Sequence, residues 1–151
     1  MKTFWHCRLF LIILAILIVG FACGKGSVTP QEMKEIEHFK KAQTSFLESS
    51  RYLRELTKGT VLVGSMSEGE RNTYIKMLME TLTEAKSVSD STLAKIHPEL
   101  PSAFRSIFIP CIENKLSGLR DFDPRASVQG TELHNEWIDW WNAHYKEFAK
   151  I

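Results

Sequence analysis

An unbroken apolar run, Leu9-Phe10-Leu11-Ile12-Ile13-Leu14-Ala15-Ile16-Leu17-Ile18-Val19, constrains this chain more than any other feature. A stretch this apolar belongs in a bilayer or in a segment that is cut away. Lys2 and Arg8 stand before it, and Gly20-Phe21-Ala22-Cys23-Gly24 follows. A positive start, a short apolar centre and small residues at the end are the parts of a secretory signal. The fold must then be built by what remains, residues 23–151, a chain of 129 residues. That is one domain of ordinary size, large enough to bury a core.

The cysteine directly after Ala22 narrows the reading: residues 1–23 resemble a bacterial lipoprotein signal. The resemblance implies cleavage between Ala22 and Cys23, diacylglycerol on the Cys23 thiol and an acyl group on the new amine. It makes the membrane, reached through a lipid anchor, the first partner. Gly24 in place of Asp implies the outer membrane, facing the periplasm, if the cell is Gram-negative. Gly20 departs from the aliphatic residue usual at that position, and Phe21 is bulkier than usual. Two other outcomes stay open. One is plain cleavage after Ala22. The other is a signal-anchored single-pass protein, since Phe4 to Ala22 nearly reaches the ~20 residues a span needs.

The cysteines are Cys7, Cys23 and Cys111. Cys7 leaves with the signal, and a lipidated Cys23 leaves Cys111 without an internal partner; a free Cys23 could pair with it in an oxidising compartment. Cys111 reads as a small buried apolar residue, with no adjacent histidine to activate it. Losing Lys2 and Arg8 takes the 19 basic residues to 17 against 18 acidic ones. Such a balance argues against a nucleic-acid partner, which requires a basic face.

Residues 23–29, with Gly24-Lys25-Gly26-Ser27, read as the lipidated cysteine and a flexible tether. Residues 30–151 read as an all-α domain, an antiparallel bundle of about four helices. The first spans Pro30 to Thr57, capped by Thr29, with Ile36, Phe39, Gln43, Phe46, Ser50 and Leu53 recurring at three- and four-residue steps. Lys58-Gly59 ends it, and Thr60 to Gly64 is a packed connector. Ser67 and Glu70 form a capping box for a second helix reaching His97, with a break near Asp90 where Ser and Thr compete with the helix. After the His97-Pro98-Glu99-Leu100-Pro101 turn, a third helix starts at Ser102 and runs to Phe122, kinked at Pro110. Residues 123–130 read as a loop ending in Gly130, and Thr131 caps the last helix.

Glu35 and His38 have the Glu-x-x-His spacing of di-iron carboxylate bundles, but such sites need it twice. It occurs once, with His38 beside the apolar stripe, so a solvated face explains it better than a metal. His134 and His144 read as boundary or core residues. The sequence carries no heme motif, phosphate loop, dinucleotide fingerprint or zinc spacing, so no catalytic residue and no cofactor are assigned. The most unusual stretch of the domain carries Trp137, Trp140, Trp141 and Tyr145. Its plain reading is bundle core; its sharper one is a surface for a partner, a hydrophobic ligand or the lipid headgroups. The whole sequence thus reads as a membrane-tethered, non-enzymatic lipoprotein that meets an envelope protein partner. A module binding a small hydrophobic ligand between its helices is the alternative.

Overall fold

The computed structural model describes residues 28–57 and 66–148. The signal segment, Cys23 and the connector from Lys58 to Gly64 lie outside them. The described residues are all-α, with no strand among them. The helices are α1 (Pro30–Thr57), α2 (Glu68–Lys86), α3 (Asp90–Ile96), α4 (Leu100–Ala103), a π turn (Phe104–Phe108), α5 (Ile109–Arg120) and α6 (Pro124–Phe148). None is long and apolar enough to cross a membrane.

Local chemistry sets most of these boundaries. At α1, Thr29 Oγ1 accepts the Glu32 N–H and Glu32 Oε2 accepts the Thr29 N–H, at 3.2 and 2.9 Å. The same reciprocal box opens α2 between Ser67 and Glu70, as expected from the sequence. The break expected near Asp90 lies at Ser87–Ser89, where Ser89 leaves helical geometry and caps α3 through the Thr92 N–H. Serine offers the backbone a side-chain partner there and ends one helix while starting the next.

Two boundaries differ from expectation. The helix expected from Ser102 begins at Leu100, with Pro101 in its first turn, where no N–H is needed. The kink expected at Pro110 is absorbed by the π turn just before it, in which the Ile109 N–H donates to the Phe104 carbonyl. That widening comes where the proline ring would otherwise press on the Ser106 carbonyl.

The second difference is larger. Residues 124–130 are helix, not loop, and Thr131 caps nothing. Asp123 is the cap instead: its Oδ1 accepts the Arg125 N–H at 2.9 Å, and Pro124 takes the first helical position. Gly130 is buried inside α6, and a Cβ there would lie 2.9 Å from the Lys115 backbone nitrogen. A Cβ on Gly118 would lie 3.0 Å from the backbone of Ser127. The glycine read as the end of a loop is one of two that let α5 and α6 approach backbone to backbone. The sharp reversal between those helices is made by Phe122, held at φ 53° with its exposed ring under the Arg71 guanidinium at 4.7 Å.

The core is aromatic. Phe104 and Phe108 stack at 4.7 Å across the π turn, Phe46 meets Phe108 edge-on at 5.0 Å, and Trp137 lies 4.8 Å from Phe108. Phe39 faces Trp141 and Phe46 faces His134, so α1 and α6 run in opposite directions. The start of α1 lies against the end of α2 and α3, and the reversal at Phe122 lies at the start of α2.

Candidate functional site

Of the aromatic residues singled out in the sequence, two belong to the core and two reach the surface. Trp137 is 0% and Trp141 2% exposed. Their spacing on α6 places them against α1 and the π turn, where they fill the space between the helices. Trp140 and Tyr145 are half-buried. Trp140 stacks on Trp137 at 5.4 Å and on His144 at 4.4 Å, extending the core outward as a column of rings. The Lys146 ammonium lies 6.0 Å from the Tyr145 ring.

The column meets the proline turn. His97 is buried there, 7% exposed, with its ring 5.3 Å from His144 and edge-on to Trp140 at 6.1 Å. His97 Nδ1 accepts the Glu99 N–H at 3.2 Å, which leaves Nε2–H to donate to Glu147 Oε2 at 2.9 Å. His144 Nδ1–H donates to the Trp140 carbonyl at 2.7 Å, and its Nε2 lies 3.4 Å from Glu99. This polar cluster fastens the end of α6 to the turn before α4. Sequence reading separated its members because they lie on two elements that only the fold brings together.

Glu35 and His38 are brought to a similar task. The Glu35 carboxylate Oε2 accepts the Ser89 N–H at 3.0 Å, the Thr92 hydroxyl at 2.6 Å and the Ser89 hydroxyl. Those hydrogen bonds hold its carboxyl down at about 2. One turn later His38 Nδ1–H donates to Glu84 near the end of α2. Lys95 of α3 reaches Glu32 at 2.6 Å. The Glu-x-x-His pair therefore clamps α1 across the α2–α3 break. Among the described residues no group of three or more His, Cys, Asp or Glu converges to hold a metal.

A third polar region lies inside the α1–α5–α6 seam. Cys111 Sγ–H donates to the Gly130 carbonyl at 3.3 Å, and burial pushes the thiol up to about 12. It is the inert buried residue the sequence suggested. Tyr74, 2% exposed, is likewise pushed up by burial, with Cys111 adding to it. His134 is driven down to about 4, first by desolvation and then by the positive charges of Lys115 and Arg54. Lys115 is lowered by its own burial. Both polar atoms of the Gln43 amide, Trp137 Nε1 and His134 Nδ1 are buried with no hydrogen-bond partner among the described residues. Gln43 was legible as a position in the α1 stripe, and nothing in the sequence marked its amide as unpartnered.

Two shallow grooves mark the surface, one along α2 lined by Ile75, Met79 and Thr83, the other along α6 beside Val128. No protein-family model matches the chain. No curated protein and no solved structure matches it either. The class defined by the described residues is an all-α domain with an aromatic core and polar clamps at its helix junctions.

Proposed function

We propose that this chain is a bacterial lipoprotein whose helical domain is held at the membrane by lipid on Cys23 and acts through protein contacts in the cell envelope. The observation that carries the reading is the N-terminal segment: positive start, apolar centre and Ala22-Cys23-Gly24. Supporting it, α1 opens with its own capping box at Thr29, so a short leader separates Cys23 from the first helix. A lipid-modified cysteine at that distance keeps the domain beside the bilayer without a protein span, because several acyl chains on one residue anchor stably. The buried Cys111 thiol, paired to a backbone carbonyl, is consistent with Cys23 serving as the modified thiol rather than as a disulfide partner.

The test is the intact mass of the protein from its native host beside Cys23→Ser. A chain beginning at Cys23 and carrying acyl mass, absent in the variant, supports the reading. An unmodified or uncut chain in both samples overturns it. Photo-cross-linking from Trp140 or Tyr145 in membranes then tests the contact role, with a discrete adduct expected.

A further inference from the structure

Three of the four large apolar side chains exposed on the described residues fall on two faces: Phe122 at 69% and Met79 at 45% on one, Val128 at 59% on the other. On the first face, α2 buries Tyr74, Leu78, Thr81 and Ala85, which leaves Met79 on its outward side, in the shallow groove. The Arg71 guanidinium lies 4.7 Å from the Phe122 ring, and Arg120 at the end of α5 reaches the Met79 sulfur. Both guanidiniums rest on apolar side chains, and neither has a carboxylate partner among the described residues. The carboxylates lining that groove are already engaged, Glu80 with Lys76 at 3.9 Å and Glu84 with His38. This face is apolar and carries two unanswered cations.

The second face has the opposite sign. α6 turns Ala126, Gly130, Trp137 and Trp141 inward. Its outward side exposes Val128 with Glu132, Glu136 and Asp139, and Arg125 stands at its first turn. None of the three carboxylates has a cationic partner among the described residues.

The two faces cannot meet within one chain, because α5 stands between their helices. On one side of α5, Glu113 and Arg120 reach Lys86 and Met79 of α2. On the other, Lys115 and Gly118 meet Gly130 and Ser127 of α6. The levels nevertheless match. α2 and α6 start at the same end, at Phe122, and both run opposite to α1. Met79 lies about 12 Å along α2 from Arg71, and Glu132 the same distance along α6 from Pro124.

We propose that the partner of the α2 face is the α6 face of a second copy of this chain, in a head-to-tail contact. Arg120 and Arg71 of one copy face the Glu132–Glu136 row of the next. Met79 and Phe122 meet Val128, and the apolar area is buried between them. The charges set register and encounter rate, and the apolar side chains supply the burial. Such a contact leaves a free face at each end and adds copies in a row or ring. It gives the protein-contact reading above one definite partner, and the contact itself needs no lipid at Cys23. Copies tethered at the start of α1 share one orientation, so a sideways step along the membrane brings the faces together.

The experiment mixes two forms of the full chain in host membranes, Met79→Cys and Val128→Cys, and treats them with a short bis-maleimide; the unsubstituted chain is the blank. The expected product is the mixed pair, with little linking in either form alone. The doubly substituted chain should give a ladder of dimer, trimer and longer products. High salt should lower the yield. Arg120→Glu is expected to cut it at least about fivefold, and adding Glu132→Arg to restore most of it. Far-UV circular dichroism of both variants checks that the fold is kept. Absent mixed product, self-linking as strong as mixed linking, or a yield indifferent to charge reversal overturns the proposal. So does Met79→Cys linking to a different protein or to lipid in place of Val128→Cys. The mass at Cys23 tests the anchor separately, so either reading can fail without the other.

Discussion

The α5–α6 pair and the α1–α2 pair are joined by opposite means. α5 and α6 meet through absent side chains: Gly118 against Ser127, and Gly130 against Lys115. α1 is tied to the α2–α3 break through side chains at full reach, by Glu35, His38 and the Lys95–Glu32 pair. The first seam is close-packed and without charge pairs of its own. The second is a set of charge-assisted bonds at a half-exposed surface. One seam is therefore sensitive to volume, the other to protons and salt.

Trp137→Ala tests the centre on which both seams depend, because Trp137 packs on Phe104, Phe108 and Trp141. The cavity is expected to cost about 3–5 kcal/mol, measured by urea unfolding. Gly130→Ala attacks the close seam alone. Helix propensity favours alanine by up to ~1 kcal/mol, but the new Cβ meets the Lys115 backbone at 2.9 Å, where nothing flexible can yield. A net loss of about 1–3 kcal/mol is expected; a gain would show that the helices separate readily and that the seams differ less than described.

Glu35→Gln attacks the polar seam. Removing the charged acceptor from Ser89 and Thr92 is expected to cost about 1–2 kcal/mol at neutral pH. The pH dependence has a definite sign. The Glu35 carboxyl is held at about 2 in the folded chain, below the ~4.3 of an unfolded glutamate. The folded state therefore gains stability above that unfolded value and loses it as pH falls from there toward about 2. Urea midpoints measured across that window should fall more steeply in the wild type than in Glu35→Gln, while Gly130→Ala should keep the wild-type slope. The smallest effect is expected for Arg51→Ala. Its pairing with Glu55 is exposed on both sides, and the loss should stay below about 0.5 kcal/mol.

The seams also differ in how far the sequence exposes them. The Thr29 cap, the Ser67–Glu70 capping box and the break near Asp90 were legible because they depend on residues within a few positions of one another, whereas the Glu32 half of the first box was not read. The aromatic stripe of α6 was legible for the same reason, and its plain reading holds for Trp137 and Trp141. Gly130 was misread because a glycine says the same thing locally at a helix end and at a helix crossing; only the partner, Lys115, distinguishes them. The Glu35 and His38 spacing read as a solvated face, but their partners lie 54 and 46 residues away, where no local pattern could show them. The cluster around His134 was not legible at all, since α1, α5 and α6 each contribute one member. Local grammar is written in the chain; crossings and contacts between distant helices are not.

The π turn between Phe104 and Phe108 has one further consequence. A π turn holds one residue more than the α-helix around it requires. Everything before it is turned by about 100° relative to everything after it, compared with an uninterrupted helix. Arg105, inside the turn, reaches back to the Val88 carbonyl and to Asp90, while Phe104 and Phe108 face the core. Deleting a single residue here would close the widened turn, bring the Pro110 ring back against the preceding backbone and show the wrong side of the helix to its neighbours. The segment is thus a place where chain length itself is counted: substitutions can be graded by size and charge, but a change of one in length rotates half of the helix out of register with the fold.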